Sequence, residues 1–314
     1  MHPVACTLTL TFTLGCVVEP APAASLVSSE SGPSEPCATG TWCVEPPPVA
    51  TAPLLHHVWA VSASDVFAVG SGGTIWRRSS TAWTAMSSGT TANLLGVWAA
   101  SSSDVWAVGV AGTILRFDGT SWSAVTGVTT SDIDAVWGSS ATDVWLGATG
   151  SVVHWNWTAF STSTSFAGHI LSISGTGPND VWATGENAMV HHFTGTWLPA
   201  INPGVGTSTF FAVLPVASGD VWVTDFLPAR ETVHLTAGHW AAQRTFSGIF
   251  EGLAAFAAND IWGVGTSSRI GHWNGTAWMT TQPLGAVGTL WSVTTAPGHV
   301  WAVGDGAVIA HRAL

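Results

Sequence analysis

The sequence contains no lysine and no tyrosine, and its seven basic residues are all arginine. Charged residues make up 8% of the chain, against about 25% in ordinary soluble domains. The first arginine is Arg77 and the net charge is -11, so no basic stripe is available to neutralise nucleic-acid phosphates. These absences exclude nucleic acid as a partner, and they leave Ser, Thr, Gly and Asn to cover most of the surface.

Motifs that carry enzyme or metal chemistry are also missing. The chain has no G-x-S-x-G, no H-E-x-x-H and no P-loop, and its histidines show no metal-ligand spacing. No apolar run reaches the roughly 18 to 20 residues that cross a bilayer. We therefore predict no catalytic residue, no metal and no cofactor.

Glycine, proline and tryptophan are abundant, with 35 Gly, 16 Pro and 20 Trp in a chain that is 46% hydrophobic. This composition favours many short strands joined by tight turns around a well-buried core. The triplet "DVW" and its variants recur with spacings of 39, 39, 37, 40, 40 and 39 residues. The repeated positions are Asp65, Asp104, Asp143, Asp180, Asp220, Asp260 and His299. A fixed period near 40 is typical of a repeat architecture.

Each repeat contains four strand patterns, here called a, b, c and d from first to last. In residues 94–124 they are "LLGVW", "VWAV", "TILRF" and "TSWSA", separated by turn signals such as "DG". Four antiparallel strands in about 39 residues describe a propeller blade. The sequence predicts an all-β fold, a seven-bladed β-propeller.

The last repeat ends after its strand c, while "GTW" at residues 40–42 matches the strand d of other repeats, as at residues 195–197. An N-terminal strand that completes the last blade would remove an open sheet edge. We therefore expect the N-terminal strand to pair with the C-terminal blade and close the ring. The propeller then spans residues 38–314, after a flexible Pro/Ser linker at 17–37 and a signal peptide at 1–16.

The N-terminus is apolar from Val4 to Val18 and contains "TLGC". This stretch resembles a bacterial lipoprotein signal, which implies lipidation at Cys16; an ordinary secretory signal cleaved near residues 21–24 is the alternative. Either interpretation places the mature protein outside the cytoplasm of a bacterium, as a secreted protein or an outer-envelope lipoprotein. In that compartment Cys37 and Cys43 could form a disulfide.

The stretch "VWAVGVAGTILRFDGTSW" resembles the repeat of the photosystem II assembly-factor propellers and their secreted bacterial relatives. "DGTSW" is similar to a degenerate Asp-box of the sialidase (BNR) type. The resemblance implies the propeller fold and does not extend to either activity. Asp-box sialidases use a tyrosine nucleophile, and this chain has no tyrosine. The photosystem assembly role is associated with a basic patch, whereas this chain is acidic.

Three columns of residues repeat from blade to blade. The Asp column precedes strand b and is predicted to accept backbone N–H bonds in a turn. A second column lies in strand c and comprises Arg77, Arg116, His154, His192, Leu235, His272 and His311. Trp or Phe recurs in strands b and d. We interpret the Asp column as structural turn closure and the other two columns as packing between blades, since a catalytic pair should break the symmetry of the repeat.

Unrepeated charges favour a ligand site on the rim where the b–c and d–a connections meet. The longest loops there are 198–209 and 225–231. The predicted ligand-binding residues are Glu186, Asp225, Arg230, Glu231, Arg269 and Asp305.

These residues predict a non-catalytic, exported and anchored binding or adhesion scaffold, expected to be a monomer, whose partner is a glycan or an envelope protein. The alternative is a carbohydrate-active enzyme with two rim carboxylates. Its candidates are the unrepeated acidic residues Asp132, Asp134, Glu186, Asp225, Glu231, Glu251 and Asp305. A structural surface protein whose rim binds nothing specific is a third reading.

Overall fold

Alternating apolar and small residues form short antiparallel strands in every repeat, and Gly-rich turns separate them. A computed structural model describes residues 38–163, 166–204, 209–225, 231–244 and 249–314, all within one compact unit. Within these ranges, no helix has the length and apolar character needed to span a bilayer.

The described strands form seven sheets, one per blade. The N-terminal strand is β1 (Trp42–Val44). Blade 1 contains β2 (Leu55–Ser62), β3 (Asp65–Gly70), β4 (Thr74–Ser79) and β5 (Ala82–Met86). Blade 2 contains β6 (Leu94–Ser101), β7 (Asp104–Gly109), β8 (Ile114–Phe117) and β9 (Trp122–Ala124). Blade 3 contains β10 (Ile133–Ser140), β11 (Asp143–Ala148), β12 (Ser151–Trp155) and β13 (Phe160–Ser163).

The remaining blades follow the same order. Blade 4 contains β14 (Ile170–Gly177), β15 (Asp180–Gly185) and β16 (Val190–Phe193). Blade 5 contains β17 (Phe210–Ala217), β18 (Asp220–Asp225), β19 (Glu231–Thr236) and β20 (His239–Arg244). Blade 6 contains β21 (Phe250–Ala257), β22 (Asp260–Gly265), β23 (Arg269–Trp273) and β24 (Trp278–Thr281). Blade 7 contains β25 (Leu290–Ala296), β26 (His299–Gly304) and β27 (Ile309–Ala313).

The seven-bladed propeller is therefore confirmed, with one local difference. In blade 4 the fourth strand is reduced to two isolated bridges, Val190 with Ile201 and Phe193 with Trp197. Five of the b–c turns contain a single 3₁₀ turn, at Ser71–Gly73, Val110–Gly112, Glu186–Ala188, Thr266–Ser268 and Asp305–Ala307.

Aromatic residues of strands b and d form the same contact at every junction between blades. The strand b ring of one blade meets the strand d ring of the next edge to face, with centroids 5.8–6.5 Å apart. The pairs are Phe67–Trp122, Trp106–Phe160, Trp145–Trp197, Trp182–Trp240, Trp222–Trp278, Trp262–Trp42 and Trp301–Trp83. Edge-to-face geometry is a preferred arrangement of aromatic rings, so these columns hold the blades together as predicted.

The N-terminal strand closes the ring, as the "GTW" match predicts. β1 pairs with β27 and becomes the outer strand of blade 7, with Trp42 opposite Arg312. The Gly40 N–H donates to the Ala313 carbonyl at 2.7 Å, just before β1. Cys43 is disulfide-bonded, and its predicted partner Cys37 lies outside the described residues, as does Cys16.

A buried ion cluster, the closure cluster, follows β1 and consists of Glu45, Arg78, Trp83 and His311. Glu45 accepts hydrogen bonds from Arg78 Nε at 3.1 Å and Trp83 Nε1 at 2.7 Å, and His311 Nδ1 lies 3.1 Å from its carboxylate. Arg78 also lies over the Trp301 ring. Burial raises the pKa of Glu45, but its bonds to His311, Arg78 and Trp83 outweigh burial and lower it overall. One carboxylate thus joins the N-terminal segment to blades 1 and 7.

Candidate functional site

The repeated Asp and Arg/His columns meet each other, and so they serve the blades. In blades 1 to 6 each Asp carboxylate lies 2.5–2.9 Å from the strand c partner. Blade 7 has His299 bonded to His311 instead, at 2.8 Å. Each His of this column stacks on its strand b Trp, with centroids 3.6–4.3 Å apart. The repeated Asp and its Arg or His partner are thus engaged in contacts within their own blade, so they are not available to a ligand.

Two details of these columns differ from the sequence-based predictions. In blade 5 the member of the strand c column is His234, not Leu235: His234 bonds to Asp220 at 2.6 Å and stacks on Trp222. The bonded Asp and His are 14 positions apart in blade 5 and 12 apart in blade 4, so the usual spacing does not locate His234. The Asp carboxylates also accept bonds from side chains rather than mainly from backbone N–H groups.

The innermost strand of every blade lines a central cavity of about 330 Å³. The first residue of that strand is buried and apolar, for example Leu55 or Phe250. The next residue faces the cavity because successive side chains of a strand point to opposite sides. In all seven blades a register shift with strand b falls at this place, and such bulges redirect side chains. The seven residues, here called the channel ring, are His56, Leu95, Asp134, Leu171, Phe211, Glu251 and Trp291.

Unlike the three repeated columns, the channel ring has a different chemistry in almost every blade. It lies at the start of strand a, on the rim that also carries the b–c turns. The Ser71 N–H, for example, donates to the Leu54 carbonyl at 2.9 Å, which joins the first b–c turn to the residue before β2. The channel ring therefore forms the mouth of the channel. Because its residue types differ between blades, it breaks the sevenfold repeat, and we take it as the candidate site.

Glu251 is the most unusual member of the channel ring. Its side chain is buried, with 9% of the residue exposed, and its Oε2 has no hydrogen-bond partner in the described part of the chain. Burial raises the pKa of this carboxyl to about 7. A buried polar group without a partner costs free energy, and perturbed carboxyls cluster at functional sites.

Trp291 flanks Glu251 in the channel ring and is held in place by Asp305. The indole Nε1 donates to Asp305 Oδ1 at 2.8 Å, and the Thr289 N–H donates to Asp305 Oδ2 at 2.7 Å. The neighbouring Gly288 has φ +99°, and a Cβ there would lie 2.7 Å from the Cβ of Asp305. Glycine at this position thus lets Asp305 reach across and fix the indole.

Asp134 contributes a second carboxyl to the same cavity. Burial raises its pKa, with help from the charges of Asp132 and Glu186, and the hydrogen bond to His169 opposes the shift. His169 Nδ1 lies 3.2 Å from Asp134 Oδ2, and the His169 N–H donates to Glu186 Oε2 at 3.0 Å.

Two histidines also line the cavity, and both are neutral near pH 7. Burial lowers the pKa of His56, and burial together with the charge of His56 lowers the pKa of His57 to about 4. The described residues contain no group of three or more side chains that could hold a metal ion.

The predicted rim residues have several environments. Glu186 and Asp305 each bond a backbone N–H in front of strand a of their own blade. Asp225 is buried at the end of β18, and Arg269 begins β23. Glu231 begins β19, and Arg230 lies outside the described residues, as do residues 205–208 and 226–230 of the two long loops. Ligand binding by these six residues stays a prediction.

Comparison with known proteins supports the fold alone. No protein-family model matches the chain, and no curated protein matches it. Among solved structures, the chain is similar to the WD40 propeller domain of Doa1, with a TM-score of 0.71 and 12% identity over 84% of this chain and 94% of that one. It is also similar to YCF48 bound to D1 peptide, with a TM-score of 0.72 and 12% identity over 88% and 96%.

A third similar structure is a catalytically inactive virginiamycin B lyase from Staphylococcus aureus with quinupristin. Its TM-score is 0.74, with 12% identity over 87% of this chain and 99% of that one. These neighbours are unlike one another in name and function, and one fold of this kind carries many activities. The chain is a seven-bladed β-propeller of the same general architecture as these proteins.

Proposed function

We propose that this protein is an exported, membrane-anchored binding propeller that holds a segment of a partner protein at the mouth of its central channel. The observation that carries this proposal is Glu251, a buried carboxylate without a described partner in a cavity that breaks the sevenfold repeat. Binding sites are concave and pair apolar walls with a few polar groups. The channel ring fits that description.

A protein segment suits this mouth better than a glycan. Glycan recognition would favour exposed tryptophans around the rim, but Trp157 is the only exposed one of the 20, all of which lie within the described ranges. Trp157 follows β12 in a c–d turn, at the opposite end of the blades from the b–c turns. One structural neighbour, YCF48, is bound to a peptide, which supports a peptide ligand without identifying one.

Export and anchoring rest on the N-terminal sequence, since Cys16 and the linker at 17–37 precede the described residues. The disulfide at Cys43 supports an oxidising compartment. Replacing Cys16 with alanine should release the protein from the membrane fraction of the producing bacterium. Membrane association that is unchanged in this variant would contradict the lipid anchor.

The binding proposal is tested with a photoreactive amino acid at Leu95, which lies in the channel ring, and at Met279, which is exposed on the outer strand of blade 6. Irradiation of intact cells should give a discrete protein adduct at position 95 and none at position 279. Equal adducts at both positions, or none at position 95, would contradict a partner at the mouth.

A second candidate function is a carbohydrate-active enzyme that uses Asp134 and Glu251. Both line one cavity and both have a raised pKa, the property expected of a general acid. A panel of glycosides incubated with the wild type and with Glu251→Gln tests it. Turnover by the wild type that is lost in the variant would support the enzyme over the binding module.

A further inference from the structure

The cavity wall carries a carboxyl group on one blade and an aromatic residue on each of the two adjacent blades. Phe211, Glu251 and Trp291 occupy the same channel-ring position in blades 5, 6 and 7, which are consecutive around the axis. An aromatic face carries partial negative charge and attracts cations within about 6 Å of the ring centroid. Two aromatic walls and one carboxylate therefore create a local environment suited to positive charge.

None of the described residues that line the cavity supplies such a charge at neutral pH. No arginine is among the described residues that line the cavity, and the chain has no lysine. The two histidines of the cavity have lowered pKa values and are neutral near pH 7. A buried carboxylate is costly when it has no partner, so a ligand that brings a cation would stabilise the ionised form of Glu251.

We propose that Phe211, Glu251 and Trp291 form a cage for an alkylated ammonium group. This inference rests on the proposed function and deepens it, because it names the chemical group that the partner presents to the channel. A primary ammonium has three N–H donors that need acceptors, but the cage offers mainly one carboxylate and two rings. A quaternary ammonium has no N–H to satisfy, and aromatic cages recognise such groups.

Asp305 acts as a positioning residue in this cage. Its bond to the Trp291 indole and its bond to the Thr289 N–H fix the ring on the cavity wall before a ligand arrives. A wall that is already oriented loses less side-chain entropy on binding. Asp305→Ala should therefore weaken ammonium binding through a looser indole while Glu251 remains in place.

Binding should strengthen as pH rises through 7, since the carboxylate of Glu251 is the form that attracts the cation and its pKa is about 7. Across the cavity the titratable groups are His56, His57 and Asp134. Of the strands packed against β21, β17 and β25 contain no titratable residue, β18 contains Asp220 and Asp225, and β22 contains Asp260. Asp220 and Asp260 are bonded to His234 and His272. Asp134, whose pKa is also raised, lies on the opposite side of the cavity in blade 3.

The test is calorimetric titration of the purified protein with choline and with its neutral isostere 3,3-dimethylbutan-1-ol. At pH 8 the wild type should bind choline at least about 10-fold more tightly than the neutral alcohol, a difference of about 1.4 kcal/mol in binding free energy. Glu251→Gln should abolish this preference, and lowering the pH to 6 should reduce it in the wild type. Equal binding of the two probes, or a preference that survives Glu251→Gln, would overturn the proposal.

Asp118→Asn is the matched control because it removes one negative charge at the opposite rim. Asn156 and Asn274 make the same turn bonds in other blades that Asp118 makes in blade 2, so this variant should fold and bind choline as the wild type does. Loss of choline binding in the control would show that net charge, rather than the cage, attracts the cation, and would also overturn the proposal.

A peptide that carries trimethyllysine, compared with its unmodified lysine form, separates the two sources of the ammonium group. Preference for the trimethylated peptide over choline indicates a modified protein side chain, and the reverse indicates a free small molecule; either supports the cage. A photo-crosslinked partner at position 95 combined with no preference for any ammonium probe overturns the cage and leaves the proposed binding function standing.

Discussion

Replacing Glu45 with alanine should destabilise the whole ring. The variant removes the acceptor for Arg78 Nε and Trp83 Nε1 and leaves the Arg78 guanidinium buried without its carboxylate. Removing one partner of a buried ion pair typically costs about 3–5 kcal/mol. At about 2–4 °C per kcal/mol for domains of this size, the melting temperature should fall by about 10 °C. Calorimetry and urea unfolding measure both quantities.

The neighbouring Val44 provides the control, since it lies on the same closing strand but is 49% exposed. Val44→Ala should change the free energy of unfolding by less than about 0.5 kcal/mol. Glu45→Gln should cost less than Glu45→Ala, because the amide oxygen can still accept the Trp83 bond. A loss below 1 kcal/mol in Glu45→Ala would refute the claim that the closure cluster holds the ring.

The same variant has a predictable pH dependence. The pKa of Glu45 in the folded protein lies below its ordinary value of 4.5. Its stabilising contribution is therefore complete above the unfolded-state pKa and is lost as the pH falls through the folded-state pKa. The difference in unfolding free energy between the wild type and Glu45→Ala should shrink in acid, and a difference that stays constant from pH 7 to pH 2 would contradict the ion pairing.

Three further predictions concern other parts of the ring. The free energy of unfolding of Glu251→Gln should rise relative to that of the wild type by up to about 3 kcal/mol between pH 4 and pH 8, as denaturant unfolding at both pH values can check. The reason is that a carboxyl with a raised folded-state pKa destabilises the folded wild type as the pH rises over that range. Trp157→Gly should stabilise by about 1 kcal/mol in thermal unfolding, because Trp157 has φ +77° and is 56% exposed at a turn position where Gly119 and Gly275 stand in other blades. Asp180→Ala should cost about 3 kcal/mol in urea unfolding, because His192 and Trp182 lose their acceptor.

The blade architecture was predictable because it repeats. The "DVW" period identifies the strands, and the recurring aromatic residues identify the faces between blades. Trp42 belongs to this pattern: its ring meets Trp262 across a blade junction, with centroids 5.8 Å apart. Trp42 and Trp262 are far apart in the sequence, but the positions of both in the repeat predict that they meet. A 40-residue period therefore determines both the number of blades and their closure.

The channel ring as a set was not predicted, although Asp134 and Glu251 are among the acidic residues named for the alternative enzyme. The residues of the ring share a position but differ in chemistry, so a search for repeated residue types does not group Glu251 with Trp291. The available signal was the variable residue that follows a constant buried apolar residue at the start of each strand a, as in "FE" and "LW". Glu186 and Asp305 are predicted ligand-binding residues because they are unrepeated rim charges, and each accepts a hydrogen bond from a backbone N–H of its own blade.

The central functional claim is that a cation binds between Phe211 and Trp291 against Glu251. Its most direct measurement is a crystal structure of the protein soaked with tetramethylarsonium, whose arsenic is located by anomalous scattering. We predict one strong arsenic peak in the central channel, in contact with both rings and the Glu251 carboxylate. A channel without a peak, or a peak only at the exposed Trp157 on the opposite rim, would contradict it.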